Sequence, residues 1–213
     1  MRRTGSRARG RLVALEGIDG AGKSTLARAL VRVLRNRGLS VGIRHEPSDR
    51  KLGSLAQIVS REDAWTGAVY FTVDRYLARP ALEKALARHD VVVSDRSFYS
   101  TLAYQGSVLP PRDRRRLQEL ERTATRVPDR VILLEIDPRV AMRRLGGRAR
   151  MRGPLEERRT LERVAHAYRE LARDPRWLVL DARAPVPDLV RAAADHVTGR
   201  RPPARRSVAR RRR

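Results

Sequence analysis

The sequence predicts a single-domain α/β protein with a five-stranded parallel sheet and helices on both faces. Three observations carry this prediction: short apolar segments recur along the chain, amphipathic segments separate them, and 213 residues suit one such domain. Strands that are buried on both faces of a parallel sheet are short and rich in β-branched residues. Five segments fit that description, at residues 12–15, 41–43, 91–94, 131–136 and 177–180.

The segments between the strands carry apolar residues at helical spacing. The first predicted helix starts near Lys23 and is expected to end at Gly38. Its apolar face comprises Leu26, Leu30, Val33 and Leu34, and the face of the last helix comprises Leu189, Val190, Ala193, Ala194 and Val197. Strands joined through helices run parallel, so ligand-binding residues are expected at the carboxyl ends of the strands.

Positive charge is concentrated at the two ends of the chain. The formal net charge is +24; residues 1–11 carry five arginines and residues 199–213 carry eight, with no acidic residue in either segment. Neither segment has apolar periodicity, so we expect two disordered tails around a domain of residues 12–198. Such tails can bind nucleic acid through its phosphates, but the scarcity of aromatic residues favours solvated tails.

The composition also excludes some classes of protein. The chain has no cysteine, which rules out disulfides and thiolate metal sites. It has no run of 18 apolar residues, and the basic amino-terminal segment leads into no signal-type apolar core. We therefore expect a cytoplasmic protein that does not bind membranes.

The segment after the first predicted strand matches the pattern G-x-x-x-x-G-K-[ST]. Its glycines let successive backbone N–H groups face a polyphosphate, while Lys23 reaches the β- and γ-phosphates and Ser24 ligates Mg²⁺. Because strand, loop and helix occur in the required order, nucleotide binding is favoured over a chance match, although the phosphate acceptor stays open. The segment consists of Gly17, Ile18, Asp19, Gly20, Ala21, Gly22, Lys23 and Ser24.

Two further pairs of residues have the chemistry of a phosphate-transfer site. Asp95 and Arg96 end the third predicted strand, where the acid can organise Mg²⁺ or take a proton and the guanidinium can hold an acceptor phosphate. A surface ion pair is the less favoured alternative at that position. Phe71 and Arg75 are four residues apart on one predicted helical face and can stack on and hydrogen-bond a base. Taken alone, the aromatic residue is more typical of a core position.

Arginines also crowd the glycine-containing segment 145–154. A mobile loop of this composition can close over a triphosphate, and a solvated basic loop is an equally good interpretation from the residues alone. The arginines are Arg143, Arg144, Arg148, Arg150 and Arg152.

Together these motifs resemble the thymidylate kinase family of P-loop nucleoside-monophosphate kinases. The similarity covers about residues 12–197 and is most specific in residues 16–25 (EGIDGAGKST), in Asp95-Arg96 and in residues 100–106 (STLAYQG). Residues 71–75 (FTVDR) are similar to the family's Phe-x-x-Asp-Arg segment, and residues 134–138 and 181–182 fit its late strand and adenine-side loop. The resemblance implies a P-loop kinase fold with a lid at about residues 145–158, usually as a homodimer.

The resemblance also implies how the donor is bound. Lys23 and Ser24 would serve ATP and Mg²⁺, and Asp95 would help to order the metal and its water. Members with glycine at the position of Gly20 resemble the bacterial type, which supplies its catalytic arginine from the lid; Arg152 is the first choice for that residue and Arg150 the second. The remaining ATP contacts would come from residues 17–22, Thr25, Arg144 and Asp181.

On the acceptor side, the resemblance implies binding of thymidine monophosphate. Phe71 would stack on thymine, Arg75 would hydrogen-bond its edge, and Arg96 would hold the 5′-phosphate. The sugar and the rest of the base would be lined by Asp19, Ser100, Thr101, Tyr104 and Gln105.

The implied reaction is direct in-line transfer of the γ-phosphoryl group from ATP to dTMP, giving dTDP and ADP. Residues 48–50 (SDR) stand where the family often has Gly-Gly-Thr, so a divergent paralogue that acts on another nucleotide or nucleoside is one alternative. A nucleic-acid or regulatory binder that uses the arginine-rich tails is the other.

Overall fold

A computed structural model describes residues 9–146 and 154–199, with the backbone alone for residues 154–157. The described residues form five strands in one sheet with the order β2-β3-β1-β4-β5, and all four neighbouring pairs are parallel. The predicted fold class is therefore confirmed. The strands are β1 (Arg11–Glu16), β2 (Val41–His45), β3 (Val91–Asp95), β4 (Arg130–Glu135) and β5 (Trp177–Asp181).

Eight α-helices lie among the described residues. They are α1 (Lys23–Asn36), α2 (Arg50–Glu62), α3 (Ala64–Arg88), α4 (Phe98–Tyr104), α5 (Pro111–Ala124), α6 (Pro138–Leu145), α7 (Pro154–Leu171) and α8 (Val186–Thr198), and a 3₁₀ turn follows α4 at Gly106–Val108.

The three central strands of the sheet, β3, β1 and β4, are buried on both faces. Leu12 and Val92 are register partners on β1 and β3, and both pack against Leu82 and Leu86 of α3. Because side chains alternate along a strand, their neighbours, such as Val13, point to the other face and join the main core with residues of α1 and α8. This double burial explains why the strands have almost no polar residues in their interior positions.

The predicted element boundaries need small corrections. Helix α1 begins at Lys23, and Gly38 follows its end with φ of +84°, as predicted. Strand β4 ends at Glu135 rather than at Ile136, because Glu135 is the last residue in register with β5. Arg11, assigned to the amino-terminal tail, belongs to β1 and donates a hydrogen bond to the Val197 carbonyl at 2.9 Å.

Several predictions concern parts of the chain beyond the described residues. These parts are residues 1–8, 147–153 and 200–213, so the expected disorder of the tails and the lid stay predictions. Residues 154–158 of the expected lid lie at the start of α7. No helix among the described residues is both long and apolar enough to span a bilayer.

Candidate active site

The phosphate loop joins the end of β1 to the start of α1. The Lys23 ammonium group lies over the loop and donates to the carbonyls of Gly17 and Ile18, each at 3.0 Å. Gly22 is the N-cap of α1 and provides no side-chain acceptor for the first-turn amides. The Thr25 amide donates to the Gly22 carbonyl at 3.1 Å, so the Lys23 and Ser24 amides and the positive end of the helix dipole are the groups that face an anion.

The loop leaves no room for a side chain at Gly20 unless its neighbours shift. Its φ is +82°, and a Cβ atom there would lie 2.6 Å from the backbone oxygen of Ala141 in α6. An arginine at position 20 would therefore strain the loop and require the loop or α6 to shift. This agrees with the expectation that a catalytic arginine comes from outside the loop; Arg150 and Arg152, the two candidates, lie outside the described residues.

Lys23 is buried, and its environment lowers its pKa. Burial and the nearby charge of Arg96 lower the pKa of Lys23 to about 8, although Asp19 and Asp95 oppose the shift. A polyphosphate that binds beside the ammonium group favours its charged form. Phosphate binding and protonation of Lys23 are therefore coupled.

This coupling predicts the pH dependence of ATP binding. Below about pH 8 Lys23 is already charged and the affinity is constant, whereas above it binding must take up a proton. The ATP dissociation constant is then expected to rise by up to about tenfold per pH unit. Calorimetry in two buffers of different ionisation enthalpy measures both quantities. A constant affinity with no proton uptake between about pH 7 and pH 9 would contradict the assignment.

Ser24 and Asp95 form the oxygen-rich corner of the site. Strand register places Asp95 beside Leu15 at the end of β1, and Ser24 donates a hydrogen bond to the Asp95 carboxylate at 2.5 Å. A hydroxyl and one carboxylate suit Mg²⁺, which usually completes its shell with water and substrate phosphates. No cluster of three or more His, Cys, Asp or Glu side chains in the described segments can hold a metal by itself. These residues therefore fit Mg²⁺ that binds together with a nucleotide.

Arg96 lies between the phosphate loop and the acceptor side. Its φ of 75° lies in the left-handed region that non-glycine residues rarely adopt. The side chain pairs with Asp19, donates to the Ser100 hydroxyl at 3.0 Å and lies over the Tyr104 ring at 5.4 Å. Partial burial acts to raise the pKa of Asp19, but the charges of Arg96 and Lys23 outweigh it and lower the pKa. The pair is thus a charged contact between the two sides of the site.

A buried carboxylate, Glu16, is linked to Arg96 through the Ser100 hydroxyl. Glu16 is fully buried and accepts hydrogen bonds from Ser97 and Ser100, both at 2.7 Å, and from Tyr168 of α7 at 2.8 Å. Burial raises the pKa of Glu16 in spite of these hydrogen bonds. Sequence reasoning gave Glu16 no role. An acidic residue at the end of an otherwise apolar strand was the available signal.

One cavity of about 420 Å³ opens beside Arg96, a size suited to a small ligand. Every residue predicted to bind the acceptor lines this cavity. Glu46, Pro47 and Gln57 also contribute to its wall. The structure thus brings together residues from four separate parts of the chain. The predicted acceptor residues are Asp19, Phe71, Arg75, Arg96, Ser100, Thr101, Tyr104 and Gln105.

Arg75 is held by three partners at the far end of the cavity. It donates to Glu46 at 2.6 Å, to Glu121 at 2.7 Å and to Thr101. Burial alone would lower the pKa of Arg75, but the two carboxylates outweigh it and raise the pKa. Glu121 was missed by sequence reasoning, although it follows Leu117 by four residues and so shares the buried face of α5.

The predicted adenine-side residues lie near the ends of α6 and β5. Arg144 donates to the Ala182 carbonyl at 3.2 Å, next to Asp181. The Asp181 carboxylate is paired with Arg183 at 2.7 Å, and this hydrogen bonding lowers its pKa to about 2. Thr25 is exposed in the first turn of α1. Arg144 and Asp181 therefore share one loop region, while Thr25 lies with the phosphate loop.

Comparison with known proteins agrees with this geometry. A family model described as thymidylate kinase matches residues 15–193. A probable thymidylate kinase of Methanothermobacter thermautotrophicus is 41% identical over 75% of this chain and 80% of its own length, and one of Archaeoglobus fulgidus is 34% identical over 84% and 90%. A thymidylate kinase of Xanthomonas oryzae pv. oryzae is 36% identical over 86% and 81%. The resemblance predicted from the motifs is confirmed, and the chain belongs to the thymidylate kinase family.

Proposed function

We propose that this protein transfers the γ-phosphoryl group of ATP to dTMP, with Mg²⁺, and so produces dTDP and ADP. One observation carries the proposal: the phosphate loop and the base-sized cavity meet at Arg96, whose ion pair with Asp19 joins them. A donor phosphate on the loop and an acceptor phosphate on Arg96 would therefore be neighbours. Catalysis of phosphoryl transfer comes almost entirely from positioning the two reactants in line and from electrostatic stabilisation of the transferred group.

The donor side would bind ATP through the loop amides and Lys23. Ser24 and Asp95 would hold Mg²⁺ together with the phosphates, and the metal would neutralise charge on the transferred group. Arg144 and Asp181 would lie on the adenine side. We assign the catalytic lid arginine to Arg152, with Arg150 as the second choice.

The acceptor side would bind dTMP in the cavity. Arg96 would hold the 5′-phosphate, since a guanidinium group binds a phosphate through two parallel hydrogen bonds. Phe71 would stack on thymine and Arg75 would donate to its edge. Direct transfer would require no covalent enzyme intermediate.

An acceptor panel tests the proposed function. ADP release is measured at saturating ATP and Mg²⁺ with dTMP, dUMP, dCMP, dGMP, UMP and unphosphorylated thymidine. The highest kcat/KM is expected for dTMP. A preference for another nucleotide or for the nucleoside would favour a divergent paralogue, and no turnover with any acceptor would overturn the kinase assignment.

We also propose that two copies of the chain associate through an apolar face on α2 and α3. This face comprises the exposed residues Leu55, Ile58, Val73, Tyr76 and Leu77. Exposed apolar residues grouped in this way mark interaction surfaces, and the family resemblance implies a homodimer. The enzyme is proposed to act in the cytoplasm, with its arginine-rich tails solvated rather than bound to nucleic acid.

Replacing Leu77 with arginine is expected to convert the dimer to a monomer, because the substitution places a charge in an apolar interface. Sedimentation equilibrium measures the mass. Val186→Arg is the matched control, since Val186 is also an exposed apolar residue but lies on α8. A wild-type chain that is monomeric, or a Leu77→Arg dimer of unchanged stability, would contradict the proposed interface.

A further inference from the structure

We propose that Glu121 is a positioning residue that determines which base the cavity accepts, because it fixes the orientation of Arg75. The fixed guanidinium would accept a base with a carbonyl oxygen at its edge and reject one with an amino group there. This inference rests on the proposed function, in which Arg75 meets the edge of the base.

The contact between Glu121 and Arg75 is buried and direct. Glu121 has no exposed surface, and Arg75 is 7% exposed. The Glu121 Oε1 atom accepts from Arg75 Nη1 at 2.7 Å and from the Thr72 hydroxyl at 3.0 Å. Its Oε2 atom has no hydrogen-bond partner among the described residues. A buried carboxylate oxygen without a partner is costly, so this glutamate is a poor choice for stability alone.

The partners of Arg75 come from different parts of the fold and restrain the guanidinium from several sides. Glu46 follows β2, Thr101 lies on α4 and Glu121 lies on α5. A guanidinium has five N–H groups in a rigid plane, and these contacts use three of them, one on each nitrogen. One N–H on each terminal nitrogen is left, on a residue that lines the cavity.

Glu121 differs from Glu46 in the charges that it contacts. Glu46 also faces Arg44 at 3.5 Å, whereas the described ion pairs of Glu121 involve Arg75 alone. Without Glu121, the Arg75 guanidinium would keep a carboxylate, Glu46, at only one of its edges. We therefore expect Glu121, rather than Glu46, to control the remaining rotation of the guanidinium.

The orientation of Arg75 bears on the choice of base because arginine only donates hydrogen bonds. Uracil and thymine present a carbonyl oxygen at the ring position where cytosine presents an amino group. A fixed N–H donor on Arg75 can therefore form a hydrogen bond with uracil or thymine. With cytosine, the same donor would face the amino group, which is also a donor. A guanidinium that can turn away would tolerate cytosine better and would bind uracil and thymine less well.

The test compares wild-type enzyme with Glu121→Gln over the full chain. Glutamine keeps the side-chain volume and one acceptor oxygen but removes the charge. The selectivity for dUMP over dCMP, as a ratio of kcat/KM, is expected to fall about tenfold. The dTMP/dUMP ratio should stay within about twofold, because these two bases present the same carbonyl oxygens and differ only by a methyl group, which makes no hydrogen bond. KM for ATP should not change.

Competition in one mixture makes the measurement independent of the amount of folded enzyme, because both acceptors meet the same molecules. Glu119→Gln is the matched control, since Glu119 is an exposed acidic residue on the same helix. If the wild-type enzyme phosphorylates dTMP but Glu121→Gln leaves the dUMP/dCMP ratio unchanged, the inference about Glu121 is overturned and the proposed function stands. No turnover of any acceptor by the wild-type enzyme would instead overturn the proposed function.

Discussion

Lys23→Ala is expected to lower kcat/KM by at least about 10²-fold, and no ATP concentration should restore the rate. The Lys23 side chain is 7% exposed, and its ammonium group lies over the loop carbonyls, where it would neutralise charge on the bound phosphates. Alanine leaves the amides of the loop in place but removes the positive charge beside them. Steady-state kinetics with dTMP at several ATP concentrations measures the effect.

The control for this substitution is Lys51→Ala, which removes an exposed lysine from the start of α2. It should leave kcat and both KM values unchanged. Thermal unfolding of both variants checks that the fold is retained. A Lys23→Ala enzyme that is folded and has the wild-type kcat would remove Lys23 from the donor site.

Arg96→Ala is expected to raise KM for dTMP by about 10²-fold, with a much smaller change in KM for ATP. The substitution removes one of the partners of Asp19 and leaves the Ser100 hydroxyl and the Tyr104 ring without their cation. The positive φ at this position is equally unfavourable for arginine and alanine, so backbone strain should change little. Kinetics with each substrate varied in turn separates the two KM values.

Arg32→Ala is a suitable control, because Arg32 is exposed on α1. It should retain both KM values. Equal increases in KM for ATP and dTMP in Arg96→Ala would indicate general damage to the site. An unchanged KM for dTMP would mean that another residue holds the acceptor phosphate.

The fold was predictable from the sequence because its main signals are local. Each strand is a short apolar segment, the loop pattern lies between a strand and a helix, and Gly38 ends α1 as expected. The errors are confined to element ends, such as Ile136, where strand pairing rather than residue type decides the boundary. The fold of the described residues thus follows from periodicity and turn chemistry.

The candidate site was predictable only where a motif marks it. Lys23, Asp95 and Arg96 are found from a loop pattern and from strand ends, because the topology of a parallel sheet places such residues at one edge. Glu16 and Glu121 act on Arg96 and Arg75 through contacts between distant parts of the chain. Periodicity indicates that these two glutamates are buried, but only the three-dimensional structure shows which cations they face.

The clearest test of the central claim is the fate of the γ-phosphate of ATP. The 213-residue chain is incubated with Mg²⁺, dTMP and ATP labelled at the γ-position, and the products are separated. We predict that the label appears in dTDP, in an amount equal to the ADP formed, and that omission of dTMP abolishes its transfer. Label that appears only in inorganic phosphate, with dTMP unchanged, would contradict the assignment of phosphate loop and cavity to one kinase active site.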